Sequence, residues 1–340
     1  MKRLLVIGTI LCSIILGIPA MLVLTFSSDD QPNTPAIQTA ASIGATEPAE
    51  QGENVTVPVF RSQLNTIEEV ALEEYVMGVV ASEMPAEFEM EALKAQALTA
   101  RTYIIKQLMK PGDIGIPDGA VVTDTVMHQV YKSKEELKEA WQKDFEWKYT
   151  RIQEAVMQTK GQVLTYDGQP ITAAFFSTSN GYTENSEDYW QNPFPYLRSV
   201  ESPWDETSPR YVAQLKMSVQ EFQQKLGVQL PGDGSIGKIV NRTDGNRVAT
   251  VNIGGKELTG REIREKLELN STDFRWQRQG NEIVIQTKGW GHGVGMSQYG
   301  ANGMAKEGRT YQDIVQHYYQ GVSVAAVDSF IGQLVAKLEE

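Results

Sequence analysis

One carboxyl group in this 340-residue chain is placed in a way that suggests acid–base chemistry, namely Glu83 in "LEEYVMGVVASEMP". Four apolar residues before it recur at helical spacing and form one face of a predicted helix: Leu72, Val76, Val79 and Val80. Glu83 is the next residue on that face. Pro85 disfavours helical geometry at the residue before it, so the predicted helix ends beside Glu83. Burial against apolar neighbours would raise the pKa of this carboxyl toward that of a general acid. The alternative is a frayed last turn that lets Glu83 reach water.

A second helix is predicted over "EMEALKAQALTARTYIIKQL", and its two cations, Lys94 and Arg101, lie on one face at the margin of the apolar stripe. The planar fork of Arg101 could orient an acidic or hydroxyl-rich ligand. The alternative for both cations, and more so for Lys94, is a solvated surface position. We carry both as candidate substrate-binding residues.

A run of small polar residues follows in "FFSTSNGYTENSEDYW", and two aromatic residues, Tyr189 and Trp190, come shortly after it. The polar run consists of Ser177, Thr178, Ser179 and Asn180. Its hydroxyl and amide groups could form hydrogen bonds with the hydroxyls of a carbohydrate, and the flat aromatic rings could pack against the face of a sugar ring. The alternative is a polar loop capped by a core tryptophan.

Glycine occupies every second position from Gly289 to Gly295 in "GWGHGVGMSQYG". In an extended chain this pattern would strip one face of side chains, which is typical of close approach by a ligand or another backbone. The spacing and the missing Gly-Lys-Ser/Thr exclude a nucleotide loop. We expect the stretch to wall a groove, with His292 and Gln298 offering hydrogen bonds to a bound sugar.

Helices and hairpins must position these groups. Capping-box pairs predict helix starts at four places: Thr66 with Glu69, Ser133 with Glu136, Ser218 with Glu221, and Thr259 with Glu262. Apolar runs flank Asp167-Gly168 and Asp244-Gly245, dipeptides suited to hairpin turns. We therefore predict an α+β fold over residues 55–340, with antiparallel hairpins and surrounding helices in one globular domain.

The amino terminus predicts a membrane anchor. Residues 4–26 form an uncharged, mainly apolar run of about the length that a helix needs to cross a bilayer. The alternative interpretation of this run is a cleaved signal peptide. Lys2 and Arg3 before the run keep the amino terminus in the cytoplasm and export the rest. Residues 27–54 lack large apolar side chains and predict a flexible linker. The only cysteine, Cys12, lies within the span in a context unsuited to lipidation.

Bulk composition excludes some partners. A formal charge of −12 argues against nucleic acid, which needs a cationic footprint. The chain has three histidines, far apart in sequence, and the exported part has no thiol, so we expect neither a metal nor another cofactor.

Three stretches together resemble the signature blocks of the SpoIID/LytB domain family: "VVASEMPAEFEMEALKAQALTARTY", "AFFSTSNGYTENSEDYW" and "GWGHGVGMSQYGANGMAKEGRTYQDIVQHYY". The resemblance spans most of residues 55–325. It implies a peptidoglycan lytic transglycosylase that acts during engulfment of the forespore, in the space between the two surrounding membranes. It also implies that Glu83 is the catalytic acid and that Arg101 and residues 177–181 lie near the glycan groove.

The implied reaction needs one carboxyl group. Glu83 would protonate the glycosidic oxygen that leaves N-acetylmuramic acid, then accept the proton of that sugar's 6-hydroxyl as it attacks C1. A hydrolase would need a second carboxylate about 5–9.5 Å away, and the sequence leaves this open, with three candidates: Glu184, Glu187 and Asp188.

The resemblance also implies partners. These are denuded glycan strands, stage II sporulation protein P, which is an amidase that strips stem peptides, and the membrane protein stage II sporulation protein M. Some family members bind zinc through Cys and His near the groove, but the exported part here has no cysteine. Because the LytB branch is described as amidase enhancers, a second hypothesis is a domain that binds glycan and stimulates a partner amidase.

Overall fold

The computed structural model describes residues 55–110, 115–190, 192–330 and 332, so the predicted membrane span 4–26 and linker 27–54 lie outside the described residues. Within the described part, helices and short, mostly antiparallel strands form a mixed α+β fold, as the sequence patterns predicted. No helix there is both long and apolar enough to cross a membrane.

Two consecutive helices carry three of the predicted site residues, Glu83, Lys94 and Arg101. The first runs to Glu83 and stops, because Pro85 cannot continue it and Met84 takes an extended conformation. The second is buried on nearly every side, and its small alanines allow close packing of its neighbours. The α-helices of the described residues are α1 Leu72–Glu83, α2 Met90–Met109, α3 Lys134–Trp141, α4 Phe145–Gln158, α5 Ser186–Trp190, α6 Val219–Leu226, α7 Gly260–Leu267, α8 Gln298–Lys306 and α9 Tyr311–Tyr318.

The strands pair into small sheets rather than one large sheet. Their orders are β2-β1-β3, β10-β9-β8, β11-β12-β7, β13-β6 and β14-β4-β5. All pairs are antiparallel except β1 with β3 and β13 with β6. The bounds are β1 Thr56–Arg61, β2 Thr66–Ala71, β3 Val122–Thr123, β4 Gln162–Tyr166, β5 Gln169–Pro170, β6 Phe175–Phe176, β7 Val212–Ser218, β8 Lys238–Arg242, β9 Val248–Ile253, β10 Lys256–Thr259, β11 Asp273–Gln279, β12 Glu282–Lys288, β13 Met296–Ser297 and β14 Ser323–Ala326.

The local signals in the sequence mostly locate real turns and helix starts. Asp167-Gly168 forms the predicted two-residue turn, with positive φ at both residues. Three of the four helix starts are confirmed, at Ser133, Ser218 and Thr259, where the side chain accepts a hydrogen bond from the third helical residue. The pair Thr66 with Glu69 was wrong as a helix start, since both residues lie in β2 and pair with β1.

Two separate hydrophobic clusters hold together the part of the chain that the structure describes, a division that the sequence patterns did not reveal. The larger cluster gathers buried side chains from residues 57–197 and 294–330, including α1, α2, α8 and α9. The smaller cluster is built only from residues 217–285, between α6, α7 and the sheets of β9 and β12. The chain therefore leaves the first core after the polar run and returns to it through the glycine-rich stretch.

Candidate active site

A groove formed by two adjoining cavities runs past the end of α1. The cavities have volumes of about 580 and 550 Å³, each within the range of ordinary ligand pockets. They meet at a shared set of lining residues: Glu83, Val126, Phe175, Phe176 and Ser177. Glu83 thus lies at the middle of the groove, with space on both sides for a chain-like ligand.

The carboxyl of Glu83 is half-buried and has one hydrogen-bond donor. The backbone N–H of Val130 donates to its Oε1 at 2.9 Å. Burial among the apolar groove walls raises the pKa of Glu83 above its ordinary value, and the Val130 hydrogen bond opposes this rise in part. The sequence-based expectation of a desolvated acid at the helix end agrees with this geometry.

The loop that brings Val130 to Glu83 lies directly against α1. Tyr131 stacks on Tyr75 of the helix, with ring centroids 5.4 Å apart and planes 16° from parallel. Gly78 makes this contact possible, because a Cβ there would lie 2.4 Å from both the Tyr131 ring and the Lys132 carbonyl oxygen. A glycine inside a helix is usually unfavourable, and here it lets the loop approach the acid.

Among the described residues that line the two cavities, Glu83 is the only carboxylate. The three candidates for a second acid are engaged elsewhere. Glu184 is buried and accepts hydrogen bonds from the Thr243 hydroxyl at 2.7 and 2.8 Å. Glu187 pairs with Arg198, and Asp188 accepts a hydrogen bond from the Asn185 side-chain amide.

Gln298 lines the groove, and the nitrogen of its side-chain amide is bound to protein. Its Nε2 donates to the backbone carbonyl oxygen of Glu83 at 3.0 Å. That carbonyl belongs to the last turn of α1, where backbone acceptors lack helical partners. Gln298 therefore positions the end of α1 through its nitrogen, while its contact with sugar stays a prediction.

The glycine-rich stretch is not an extended strand, which corrects the sequence-based expectation. Gly289, Gly291, Gly293 and Gly295 all have φ between +80° and +118°. Added Cβ atoms would meet protein at each one, for example the Ala174 carbonyl oxygen at 2.1 Å from Gly295 and the Phe176 Cβ at 2.8 Å from Gly291. The missing side chains therefore make room for the neighbouring segment around Ala174 and Phe176, which lines the groove, rather than for a polysaccharide.

His292 lines one cavity and is packed among rings. Its centroid lies 5.2 Å from that of Trp190, 5.6 Å from Phe176 and 5.7 Å from Tyr189. Burial lowers the pKa of His292 to about 3, so the imidazole is neutral at physiological pH. Nδ1 accepts a hydrogen bond from the Val294 N–H at 3.0 Å, which fixes the ring.

The polar run divides into one groove residue and a buried scaffold. Ser177 lines both cavities. Thr178, Ser179 and Asn180 are buried, and their partners are protein groups, which corrects their predicted role in direct sugar binding. The Ser179 N–H and hydroxyl both donate to Asp205, at 2.9 and 2.8 Å, and the Asn180 amide donates to the Gly245 carbonyl oxygen at 2.9 Å.

Arg101 is a core residue, which corrects its predicted role in substrate binding. Its guanidinium is fully buried and makes a bidentate pair with Glu73, with Nη2 2.6 Å from Oε2 and Nε 3.0 Å from Oε1. It also donates to the Val156 carbonyl oxygen at 3.1 Å. These intramolecular partners leave no donor aimed at the groove.

Lys94 and Tyr189 also lie off the groove wall. Lys94 pairs with Glu91 at 2.6 Å, one turn away on α2, and neither lines the two cavities. The Tyr189 hydroxyl accepts a hydrogen bond from Arg264 at 2.8 Å, and its ring lies behind His292. Trp190, the next residue, takes the position in the cavity wall.

Several groove residues were missing from the sequence-based set. Phe175 and Phe176 form the shared floor, and Val126, 90% exposed, projects beside Glu83. Trp290 and Arg210 line the first cavity, with the guanidinium carbon 5.1 Å from the ring centroid. The ring of Trp290 was visible in the glycine-rich motif, whereas nothing in the turn around Arg210 marks it as functional.

No group of three or more His, Cys, Asp or Glu side chains with the geometry of a metal site occurs among the described residues. His128 lines the second cavity, where its Nδ1 accepts a hydrogen bond from the Thr123 N–H at 3.3 Å. That nitrogen is therefore already engaged in holding its own loop.

The sequence is similar to known proteins over nearly its full length. A family model described as "SpoIID: Stage II sporulation protein" matches residues 60–166. Stage II sporulation protein D of Bacillus subtilis (strain 168) is 50% identical over 343 residues, covering 99% of this chain and 100% of the relative. The protein of the same name from Bacillus amyloliquefaciens is 52% identical over 333 residues, covering 96% and 97%. The amidase enhancer of Bacillus subtilis is 28% identical over 308 residues, covering 73% of this chain and 40% of that relative.

Proposed function

Because the chain belongs to the SpoIID family of stage II sporulation proteins, we propose that it cuts peptidoglycan glycan strands during sporulation as a lytic transglycosylase. The observation that carries the proposal is the position of Glu83, a carboxyl of raised pKa where two adjoining cavities meet. A groove of this kind suits a polymer that continues beyond the cleavage point on both sides.

The proposed reaction uses Glu83 twice. Protonated Glu83 donates its proton to the glycosidic oxygen while the bond from C1 of N-acetylmuramic acid to that oxygen breaks. The resulting carboxylate accepts the proton of the 6-hydroxyl as O6 bonds to C1, which gives a 1,6-anhydro end and returns Glu83 to its acid form. The raised pKa favours the first step because the acid form persists at higher pH.

The absence of a second carboxylate from the described groove walls supports transglycosylation over hydrolysis. A retaining or inverting hydrolase needs a partner carboxylate to act as nucleophile or to activate water. The intramolecular 6-hydroxyl replaces both and is held in place by the sugar itself.

The test is the product formed from purified denuded glycan strands, analysed by mass spectrometry. The native protein should release 1,6-anhydro ends, and Glu83→Gln should lower the rate at least about a hundredfold. Glu187→Gln is the matched control, since Glu187 lies outside both cavities and pairs with Arg198. Hydrated reducing ends, or undiminished cleavage by Glu83→Gln, would contradict the proposal.

A second candidate function is stimulation of an amidase by glycan binding, which the similarity to a protein named amidase enhancer favours. Under this alternative the groove binds glycan but breaks no bond. The native protein and Glu83→Gln would then stimulate a partner amidase equally, and neither would release anhydro sugars.

Membrane attachment through residues 4–26 remains part of the proposal, with the groove on the outer side. The full chain should sediment with membranes, and a chain that begins at residue 27 should stay in the supernatant. Sedimentation of the shortened chain would contradict this anchor.

A further inference from the structure

Arg210 and Trp290 form a cationic plate in the wall of the cavity that contains Glu83. The Arg210 guanidinium carbon lies 5.1 Å from the centroid of the Trp290 ring, and both side chains line the cavity of about 580 Å³. Trp290 is 38% exposed and Arg210 is exposed. Glu83 and Arg210 are the charged side chains among the described residues of this wall.

The Arg210 side chain contrasts with other arginines of the fold that hold acidic partners. Arg61 pairs with three carboxylates, among them Asp124 at 3.1 Å, and Arg242 pairs with Asp273 at 3.0 Å. Within the described part of the chain, Arg210 has no carboxylate within ion-pair distance, and its contact is the ring beneath it. Its donors therefore face the groove without a protein acid to occupy them.

Hydrogen bonds connect both residues of the plate to one buried residue, Thr178, directly for Trp290 and through Ser208 for Arg210. The Thr178 N–H donates to the Trp290 carbonyl oxygen at 3.0 Å, and the Trp290 N–H donates back at 2.7 Å. The hydroxyls of Thr178 and Ser208 lie 2.9 Å apart. The backbone N–H of Arg210 donates to the Ser208 hydroxyl at 3.1 Å. The backbones of the turn and of the tryptophan are thus both tied to Thr178.

A guanidinium lying near an aromatic ring is suited to a carboxylate. Its planar fork of N–H groups can make two parallel hydrogen bonds to one carboxylate, and the ring limits its freedom of orientation. The π face of tryptophan also attracts the cation, which stabilises the arrangement without neutralising its charge.

We propose that Arg210, supported by Trp290, binds the free lactyl carboxylate of a muramic acid residue next to the scissile bond. This inference rests on the proposed function and names the residue that selects its substrate. The lactyl group is the carboxylate of a glycan strand, and it is free only where no stem peptide is attached. A stem peptide converts it to a neutral, bulky amide that cannot pair with Arg210.

The experiment measures binding without turnover, in a Glu83→Gln background. The probes are muramic-acid-containing tetrasaccharides with the lactyl carboxylate free or converted to its methylamide, titrated by calorimetry. We expect the free acid to bind at least about tenfold more tightly than the amide, as for a charged hydrogen-bonded pair. Adding Arg210→Gln should abolish this ratio, and Arg210→Lys should retain part of it.

Arg275→Gln is the matched control, because Arg275 is exposed and lines neither cavity of the groove. It should leave the ratio unchanged, and urea unfolding should show that each variant is folded. The ratio should also fall at high salt, since ion pairing is screened. A ratio near one in the Glu83→Gln protein, or one that Arg210→Gln leaves intact, overturns the inference. Because no cleavage is measured, failure of the transglycosylase proposal would be seen separately.

Discussion

The side-chain amide of Gln298 donates a 3.0 Å hydrogen bond to the backbone carbonyl oxygen of Glu83, joining residues 215 positions apart in the sequence. Gln298 is the first residue of α8, directly after the glycine-rich stretch, and Glu83 is the last residue of α1. The contact acts as a helix cap, since a carbonyl in the last turn of a helix has no helical partner. The segment that follows the alternating glycines thus helps to hold the helix end that carries the candidate acid.

Replacing Gln298 by Leu should slow catalysis because the end of α1 that carries Glu83 is held less firmly, and not because a contact with sugar is lost. The carbonyl of Glu83 would lose its donor, so we expect kcat to fall about tenfold and the free energy of unfolding to fall by about 1–2 kcal/mol. KM should change little. The measurement is steady-state cleavage of denuded glycan together with urea unfolding.

A matched control for Gln298→Leu is Gln158→Leu on the exposed end of α4, which should alter neither value. The positioning role also predicts a shift in the pH profile of kcat/KM, because the environment of the Glu83 carboxyl changes with the helix end. A large rise in KM with an unchanged pH profile would indicate direct substrate contact instead.

Activity should fall on the alkaline side as Glu83 loses its proton. Burial raises the pKa of Glu83, so the acid form needed for proton donation persists to higher pH than for an exposed glutamate. A plot of kcat/KM against pH should therefore show an alkaline limb above the ordinary glutamate range near 4.5. A profile that rises through this region would contradict the role of Glu83 as the acid.

The raised pKa of Glu83 also makes the stability of the fold depend on pH. Because the folded state binds the Glu83 proton more tightly than the unfolded state, the free energy of unfolding should fall as pH rises from the unfolded pKa through the folded pKa. Glu83→Gln should flatten this part of the curve. Urea unfolding of both proteins at a series of pH values measures the difference.

The sequence predicted the local features that depend on neighbouring residues. Periodicity and Pro85 placed the end of α1 at Glu83, and Asp167-Gly168 marked a two-residue turn. Such signals work because helix ends and tight turns are decided by a few adjacent residues. The family resemblance then favoured Glu83 among the many carboxylates as the candidate acid.

The sequence predicted only some of the polar groups that line the groove, among them Ser177, His292 and Gln298, because which polar groups face it depends on long-range packing. Arg101 and Ser179 looked available, yet each is buried against a partner from another segment, Glu73 and Asp205. Arg210, which does face the groove, carries no local pattern. Alternating glycines suggested an extended strand, but positive φ has no reliable signature beyond glycine itself.

Gly295→Ala should be far more damaging than the same change at a turn. At Gly295 the new Cβ would lie 2.1 Å from the Ala174 carbonyl oxygen, and φ is +80°. At Gly168, φ is +72° and nothing lies within 4 Å of the added atom. We expect a loss of about 1–2 kcal/mol at Gly168 from backbone strain, and several-fold more, or no soluble protein, at Gly295. Equal unfolding free energies for the two variants would show that the stretch does not pack as described.

Arg101→Met should destabilise the fold without a specific effect on glycan binding. The substitution leaves Glu73 with its carboxylate largely buried and unpaired, and we expect a loss of about 3 kcal/mol in the free energy of unfolding. Glu73→Leu combined with Arg101→Met removes both charges and should recover part of this loss. The measurement is a double-mutant cycle by urea unfolding, which isolates the energy of the pair.

The binding readout separates this structural role from the substrate-binding role expected from sequence. In a Glu83→Gln background, folded Arg101→Met protein should bind tetrasaccharide with the affinity of its parent, because the Arg101 guanidinium is fully buried and its partners are Glu73, Thr159 and two backbone carbonyls. A tenfold loss of affinity with unchanged unfolding would restore the sequence-based assignment. Loss of stability, recovered by the double substitution while affinity stays constant, would establish that Arg101 supports the groove from within the core.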